Sequence, residues 1–166
     1  FPYTTLFRSL VLFYHFLITL ILIHSFYQSD FPFPTSADNL LHDVEKRSTS
    51  LDEGFGKVSA NGHARRGEYT ARTVLFRDVP TPFHIRERIA SFVRYHGLPL
   101  WLLEKVEPAK KIHEVSLRIS TSQLKTLAEA DAKGRICNNL PQLLESLELF
   151  ELFCKEQECW GKALEF

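Results

Sequence analysis

Residues 140–159, Leu-Pro-Gln-Leu-Leu-Glu-Ser-Leu-Glu-Leu-Phe-Glu-Leu-Phe-Cys-Lys-Glu-Gln-Glu-Cys, decide the fold class. Leu143, Leu144, Leu147, Phe150 and Phe153 make one apolar stripe with a helical period, not the alternation of a strand. The segments before it read the same way. Ser120-Thr121-Ser122 supplies an N-cap for a helix ending near Gly134. Pro108 starts a helix carrying Ile112, Val115 and Ile119. Val79-Pro80-Thr81-Pro82 is a break, with Thr81 as the expected N-cap and Pro82 at the first position of a helix reaching His96. Gly97, ahead of Pro99, stops that helix. A helix over 63–78 places Tyr69, Thr73 and Phe76 along one face. Residues 38–46 read as the end of a helix, with Leu40, Leu41 and Val44 at helical spacing. Between these, 47–62 is a loop punctuated by Gly54, Gly56 and Gly62, in which Phe55 or Val58 anchors a short hairpin. No strand-rich region and no repeat appears, so the expectation is an all-α bundle of five or six helices.

The whole chain has 166 residues, enough for one domain of ordinary size. Its 45% hydrophobic and 24% charged residues exclude a wholly disordered chain. Twenty basic and twenty acidic residues cancel, so there is no bulk attraction for nucleic acid or acidic lipid. Any polyanion contact must then be local. Three cysteines, Cys137, Cys154 and Cys159, make no disulfide framework and point to a reducing, cytoplasmic compartment. Cys154 and Cys159 are too widely spaced for a CxxC motif.

Residues 1–36 stand apart. Arg8 and Asp30 are their only charges, although twenty of each sign occur in the chain. Residues 10–27 form an apolar run, interrupted by His15 and His24, of roughly 27 Å if helical, close to a bilayer core. That reads as a signal anchor. A second reading takes residues 1–9, Phe-Pro-Tyr-Thr-Thr-Leu-Phe-Arg-Ser, which resemble a translated sequencing adapter, together with a pyrimidine-rich stretch ending at Phe31-Pro32-Phe33-Pro34. The absence of methionine and the start at Phe1 fit a fragment. We expect 1–36 to be an artefact or a hydrophobic segment outside the domain. Residues 37–166 are then an N-terminally truncated helical domain of marginal stability on its own, and a membrane role is not expected.

The chemistry-bearing groups fall in order along the helices. His42-Asp43 is an adjacent imidazole–carboxylate pair in Leu40-Leu41-His42-Asp43-Val44-Glu45-Lys46. His63 opens the next helix, His96 closes the one after, and Asp131 lies on a later one. Helical bundles build metal sites from side chains on facing helices in this way. Taken singly, each group has a plainer reading: His63 as a capping or surface residue, His96 as decoration of a helix C-terminus. Asp131, beside Leu124, Leu127 and Ala128, needs a partner. Arg65, Arg66, Arg72 and Arg77 read as a solvated basic face, and His84 and His113 as surface or packing residues.

The ordered set resembles the HD superfamily of metal-dependent phosphohydrolases. The family signature is a first His, an adjacent His-Asp pair, a distant Asp, and extra His residues in two-metal members. His42-Asp43 matches the pair, Asp131 the distant Asp, and His63 and His96 the extra positions. The segments LLHDVEK (40–46), GHARRGE (62–68), FVRYH (92–96) and AEADAKGR (128–135) are similar to the HD region of tRNA nucleotidyltransferases and poly(A)-polymerase-like proteins. The family's first His has no matching position here.

The resemblance implies an HD-type bundle that hydrolyses a nucleotide or RNA phosphate ester, with a P-loop kinase domain following in some relatives. It implies a divalent metal ion, undistinguished among Mg, Mn, Co, Ni, Fe and Zn, held by His42, Asp43 and Asp131, with His63 and His96 on a second ion or on phosphate. Asp43 would orient water, and Lys46 and Arg66 would neutralise transition-state charge. The alternatives are a degenerate, non-catalytic HD bundle serving as a structural or RNA-binding module, and a membrane-anchored helical protein. No P-loop, dinucleotide fingerprint or nucleophile elbow occurs in the chain.

Overall fold

Gly67 lies where two helices approach each other closely. A Cβ built there would meet Val93 Cγ1 at 2.9 Å. The computed structural model, which describes residues 41–54, 58–135, 137–161 and 163, uses this absence of a side chain to pack α2 (His63–Thr73) against α3 (Phe83–Tyr95). Gly67, Ala71 and Leu75 form the buried face of the first; Ile89, Ala90 and Val93 belong to the second. The helical segment of α2 continues through a π-helical turn, Val74–Asp78, so the span 63–78 read from the sequence is one helical run. The face marked by Tyr69, Thr73 and Phe76 is solvent-exposed. The core side is the face that carries Gly67, where a side chain would collide with Val93.

Ahead of this pair, Leu41 is helical, residues 42–45 turn, and α1 (Lys46–Thr49) follows. Residues 38–40 lie outside the described part. The expected hairpin is present as two paired residues on each side: β1 (Leu51–Asp52) runs antiparallel to β2 (Val58–Ser59). Phe55 lies outside the described residues.

The break before α3 falls where the prolines put it, but the cap is one residue later than the sequence led us to expect. Pro82 is the N-cap, and Phe83 starts the helix. Thr81 does not cap, because its hydroxyl donates to the Val79 carbonyl at 2.6 Å. After His96 come α4 (Leu98–Trp101), a 3₁₀ turn at Leu102–Glu104, and α5 (Pro108–Ser116). Ile112 and Val115 on α5 are buried, as is Ile119 beyond its end. The Ser120 hydroxyl accepts from the Gln123 amide and caps α6 (Thr121–Gly134) as expected. The last helix, α7, spans Leu140–Glu156, ending short of Cys159. Glu158, at φ 55°, turns the chain away there.

The all-α class is as the period of the apolar residues indicated. Three buried clusters hold it. One gathers Phe92, Ile112, Val115, Leu124, Leu127 and Phe150 from α3, α5, α6 and α7. A second joins α2 to α3 through Ala71, Leu75, Ile89 and Val93. A third packs Leu100 against Ala128, Ala132, Leu143 and Leu147. Each fully buried large side chain contributes about 1.5–3 kcal/mol of transfer free energy. No described helix is long and apolar enough to cross a membrane. The apolar run at 10–27 lies outside the described residues.

Candidate metal centre

Five side chains from four parts of the chain meet at one end of these helices. His42 and Asp43 sit in the turn before α1. That turn is tied to α2, because the Thr70 hydroxyl donates to Glu45 Oε1 at 2.6 Å. The Glu45 carboxyl is held below its ordinary value by hydrogen bonds from Ser48 and Thr70. His63 is the first residue of α2, reached through Gly62 at φ 82°, a left-handed turn that a side chain would strain. His96 follows Tyr95 at the end of α3, and Asp131 projects from α6.

Asp43 is at the middle of the group. Its Oδ1 lies 3.5 Å from His63 Nε2 and 3.8 Å from His96 Nε2. Its Oδ2 lies 3.5 Å from His42 Nε2, which in turn is 3.7 Å from Asp131 Oδ1. Two ligand sets result, Asp43–His63–His96 and His42–Asp43–Asp131, each with its donor atoms within 4.8 Å of one another. Donors around one ion at about 2.1 Å are themselves about 3.0–3.4 Å apart. The observed spacings are close to that before any ion draws them in.

Two of the imidazoles have their tautomers fixed by backbone carbonyls. His63 Nδ1 is 2.7 Å from the Ala60 carbonyl, and His96 Nδ1 is 2.9 Å from that of Val93. Each Nδ1 carries the proton and donates, so each Nε2 keeps its lone pair. Those two Nε2 atoms face each other at 3.3 Å. Two lone pairs at that distance repel unless a proton or a cation lies between them. Burial, first of all, pushes the His96 pKa down, with the neighbouring His42 and His63 adding to it. That disfavours the proton and leaves the donor set suited to a metal cation.

The carboxylates have cationic partners of their own. Lys46 Nζ donates to Asp43 Oδ2 at 2.7 Å, and Arg135 bonds to Asp131. Burial raises the Asp131 pKa, but the bonds to His42 and Arg135 outweigh it and hold the carboxyl well below the usual range. Asp131 is therefore ionised at neutral pH.

A cavity of about 570 Å³ opens beside the cluster, lined by His63, His96, Tyr95 and Trp101. Its charged lining is entirely basic among the described residues: Lys46, Arg94, Lys105, Lys111 and Arg135. Thus the structure brings together His42, Asp43, His63, His96 and Asp131, with Lys46 at their edge. Arg66 is not brought in. It is exposed on α2, its charge acts on Glu45, and it does not line the cavity. Arg72 and Arg77 of the basic face pair with Glu87 and Asp78. The sequence reading missed Arg94, Lys105, Lys111 and Arg135. Only Arg135, four residues after Asp131 on the same helical run, carried a signal in its spacing.

Compared with known proteins, the chain matches no family model, no curated protein and no solved structure.

Proposed function

We propose that this chain is an HD-type, divalent-metal-dependent phosphohydrolase acting on a nucleotide or RNA phosphate ester. The observation that carries the reading is the pair of ligand sets sharing Asp43 beside a cavity whose charged lining is basic. His42, Asp43 and Asp131 would hold one ion, and Asp43, His63 and His96 would complete or extend the set. A bound divalent ion would polarise a phosphate oxygen and lower the pKa of coordinated water. Asp43, whose two oxygens lie near different histidines, would orient that water. Lys105 and Lys111 attract the phosphate into the cavity. Lys46 is the cation nearest the ligands and takes the charge-neutralising role; Arg66, outside the cavity, is not assigned one.

A second reading has an observation of its own. Lys46 on Asp43 and Arg135 on Asp131 already neutralise both carboxylates, as a non-catalytic HD bundle with a structural or RNA-binding role would require. Metal content separates the two. Purified protein is analysed for bound metal, then assayed for phosphate release from nucleotides and short RNAs with each divalent ion in turn. The enzyme reading expects bound metal and metal-dependent release, cut by at least about 100-fold in Asp43→Ala. No bound metal, and no release with any ion, leaves the structural reading.

A further inference from the structure

Leu100 and Leu102 are both buried, each in a different apolar cluster, and they fix the backbone on either side of Trp101. The indole between them is left 44% exposed. It stands in the wall of the cavity that also holds His63 and His96. The tyrosine of that wall is already occupied. Tyr95 is buried, with Lys111 Nζ 5.3 Å and Arg94 Cζ 5.9 Å from its ring centroid. Among the described residues, no cation and no second ring lies over Trp101. The cations of the wall sort in the same way. Lys46 pairs with Asp43, Arg135 with Asp131, Arg94 with Glu68 and Lys111 with Glu114. Lys105 has no carboxylate partner among the described residues, and its amide donates to the Leu102 carbonyl at 3.0 Å. That bond holds it on the same short stretch as Trp101. An open indole face and an unpaired ammonium thus remain in one cavity, next to the candidate ligands.

We propose that Trp101 is a stacking platform for a nucleobase, and that the cavity takes a nucleotide with its base on the indole and its phosphate on Lys105 and Lys111. The proposal rests on the phosphohydrolase reading for the fate of that phosphate, and it adds which esters the site selects. The two parts of the ligand are held by different forces. Charge draws in any phosphate ester and is screened by salt. The indole adds affinity only for a ligand with a flat π-face, which every base has and a sugar phosphate lacks. A stacked ring is held through its area, not through hydrogen bonds at its edge. Purines are therefore favoured over pyrimidines, with little discrimination between adenine and guanine. A free nucleotide and the last nucleotide of a single-stranded RNA share this chemistry.

The test is titration calorimetry of the full chain in EDTA, so that no metal-dependent step enters. The probes are adenosine monophosphate, ribose phosphate and a short oligoadenylate. Adenosine monophosphate is expected to bind about tenfold more tightly than ribose phosphate, which carries the same phosphate without the base. Trp101→Ala is expected to remove that margin. Lys105→Gln is expected to weaken both ligands alike and to flatten the salt dependence. Tighter binding of the oligoadenylate than of the mononucleotide assigns the platform to RNA ends, and the reverse assigns it to free nucleotides; either supports stacking. Equal affinity for the mononucleotide and ribose phosphate, or no binding of either, overturns the proposal. So does a Trp101→Ala protein that keeps the full margin. The wild-type comparison decides by itself should the variant not fold. Base-dependent binding without phosphate release in any divalent ion would remove the phosphohydrolase reading and keep the platform. Metal-dependent release from both esters, bound with equal affinity, would do the reverse.

Discussion

Arg135 and a metal ion compete for the same carboxylate. Asp131 has a side chain only 8% exposed and relies on Arg135 and His42 for its stabilisation. Replacing Arg135 by Met removes one partner and leaves a nearly buried anion short of a counter-charge. The guanidinium is about one-third exposed, so solvent screening limits the loss to about 1 kcal/mol. A bound cation would fill the vacated place. Arg135→Met is therefore expected to melt below wild type in EDTA and to recover most of the deficit in saturating Mn²⁺. Thermal melts of both proteins in the two buffers check this. An equal deficit with and without metal would mean that Asp131 is not a ligand. The same residue shows why some of the site was legible and some was not. His42-Asp43, His63, His96 and Asp131 were found because imidazole and carboxylate are scarce groups at conspicuous helix ends. Lys105 and Lys111 were not, because a lysine has the same local pattern whether it faces solvent or a cavity.

Helix α6 is fastened to α7 by Lys125, which reaches Glu148 at 2.9 Å and also bonds to Glu151. Its side chain is 13% exposed, so the pair is more shielded than an ordinary surface ion pair. Hydrogen bonds from Lys125 and Lys155 lower the Glu151 pKa from 4.5. Burial works against the Lys125 charge, but its bonds to Glu151 and Glu148 raise its pKa above 10.5. A depressed carboxyl stabilises the fold above its unfolded pKa and loses that contribution as pH falls through the folded one. A raised ammonium stabilises below its unfolded pKa and loses it as pH rises through the folded one. The bridge is thus fully effective between about pH 4.5 and about pH 10.5. Lys125→Met is expected to cost about 0.5–1 kcal/mol in that window, and the gap to wild type should close towards pH 3. Melting temperatures of both proteins across pH measure it; a gap that stays constant to pH 3 assigns the effect to packing of the lysine stem. At this scale the sequence was legible at Ser120, which caps α6, and at Pro108, which starts α5. It misled at Thr81, whose hydroxyl had a nearer carbonyl to serve, and at the C-terminal end of α7, where the apolar period runs on but Glu158 turns the backbone.

Across the whole molecule, the metal centre lies where separately packed parts meet. Leu41, next to His42, packs on the cluster that joins α2 to α3, and His63 belongs to α2. Asp131 belongs to α6, whose Ala128 and Ala132 are buried in a different cluster with α4 and α7. Direct helix contacts are dense within each part, between α2 and α3 and between α6 and α7. An ion bridging His42 or Asp43 to Asp131 would therefore tie the turn before α1 to α6, two segments with no shared apolar cluster. Anything that binds the folded chain alone stabilises it by mass action, by about 2.7 kcal/mol at a hundredfold excess over Kd. The gain here should also be localised. Addition of Mn²⁺ is expected to raise the melting temperature and to slow amide exchange most in residues 42–50 and the first turn of α2, which contribute no fully buried side chain to the apolar clusters. Exchange in the centre of α7, anchored by Leu147 and Phe150, should change little. Hydrogen-exchange mass spectrometry with and without metal reads both regions at once. Uniform protection throughout the chain would indicate that the parts already unfold as one unit, with the ion adding only global stability; no protection near His42 would remove that turn from the ligand set.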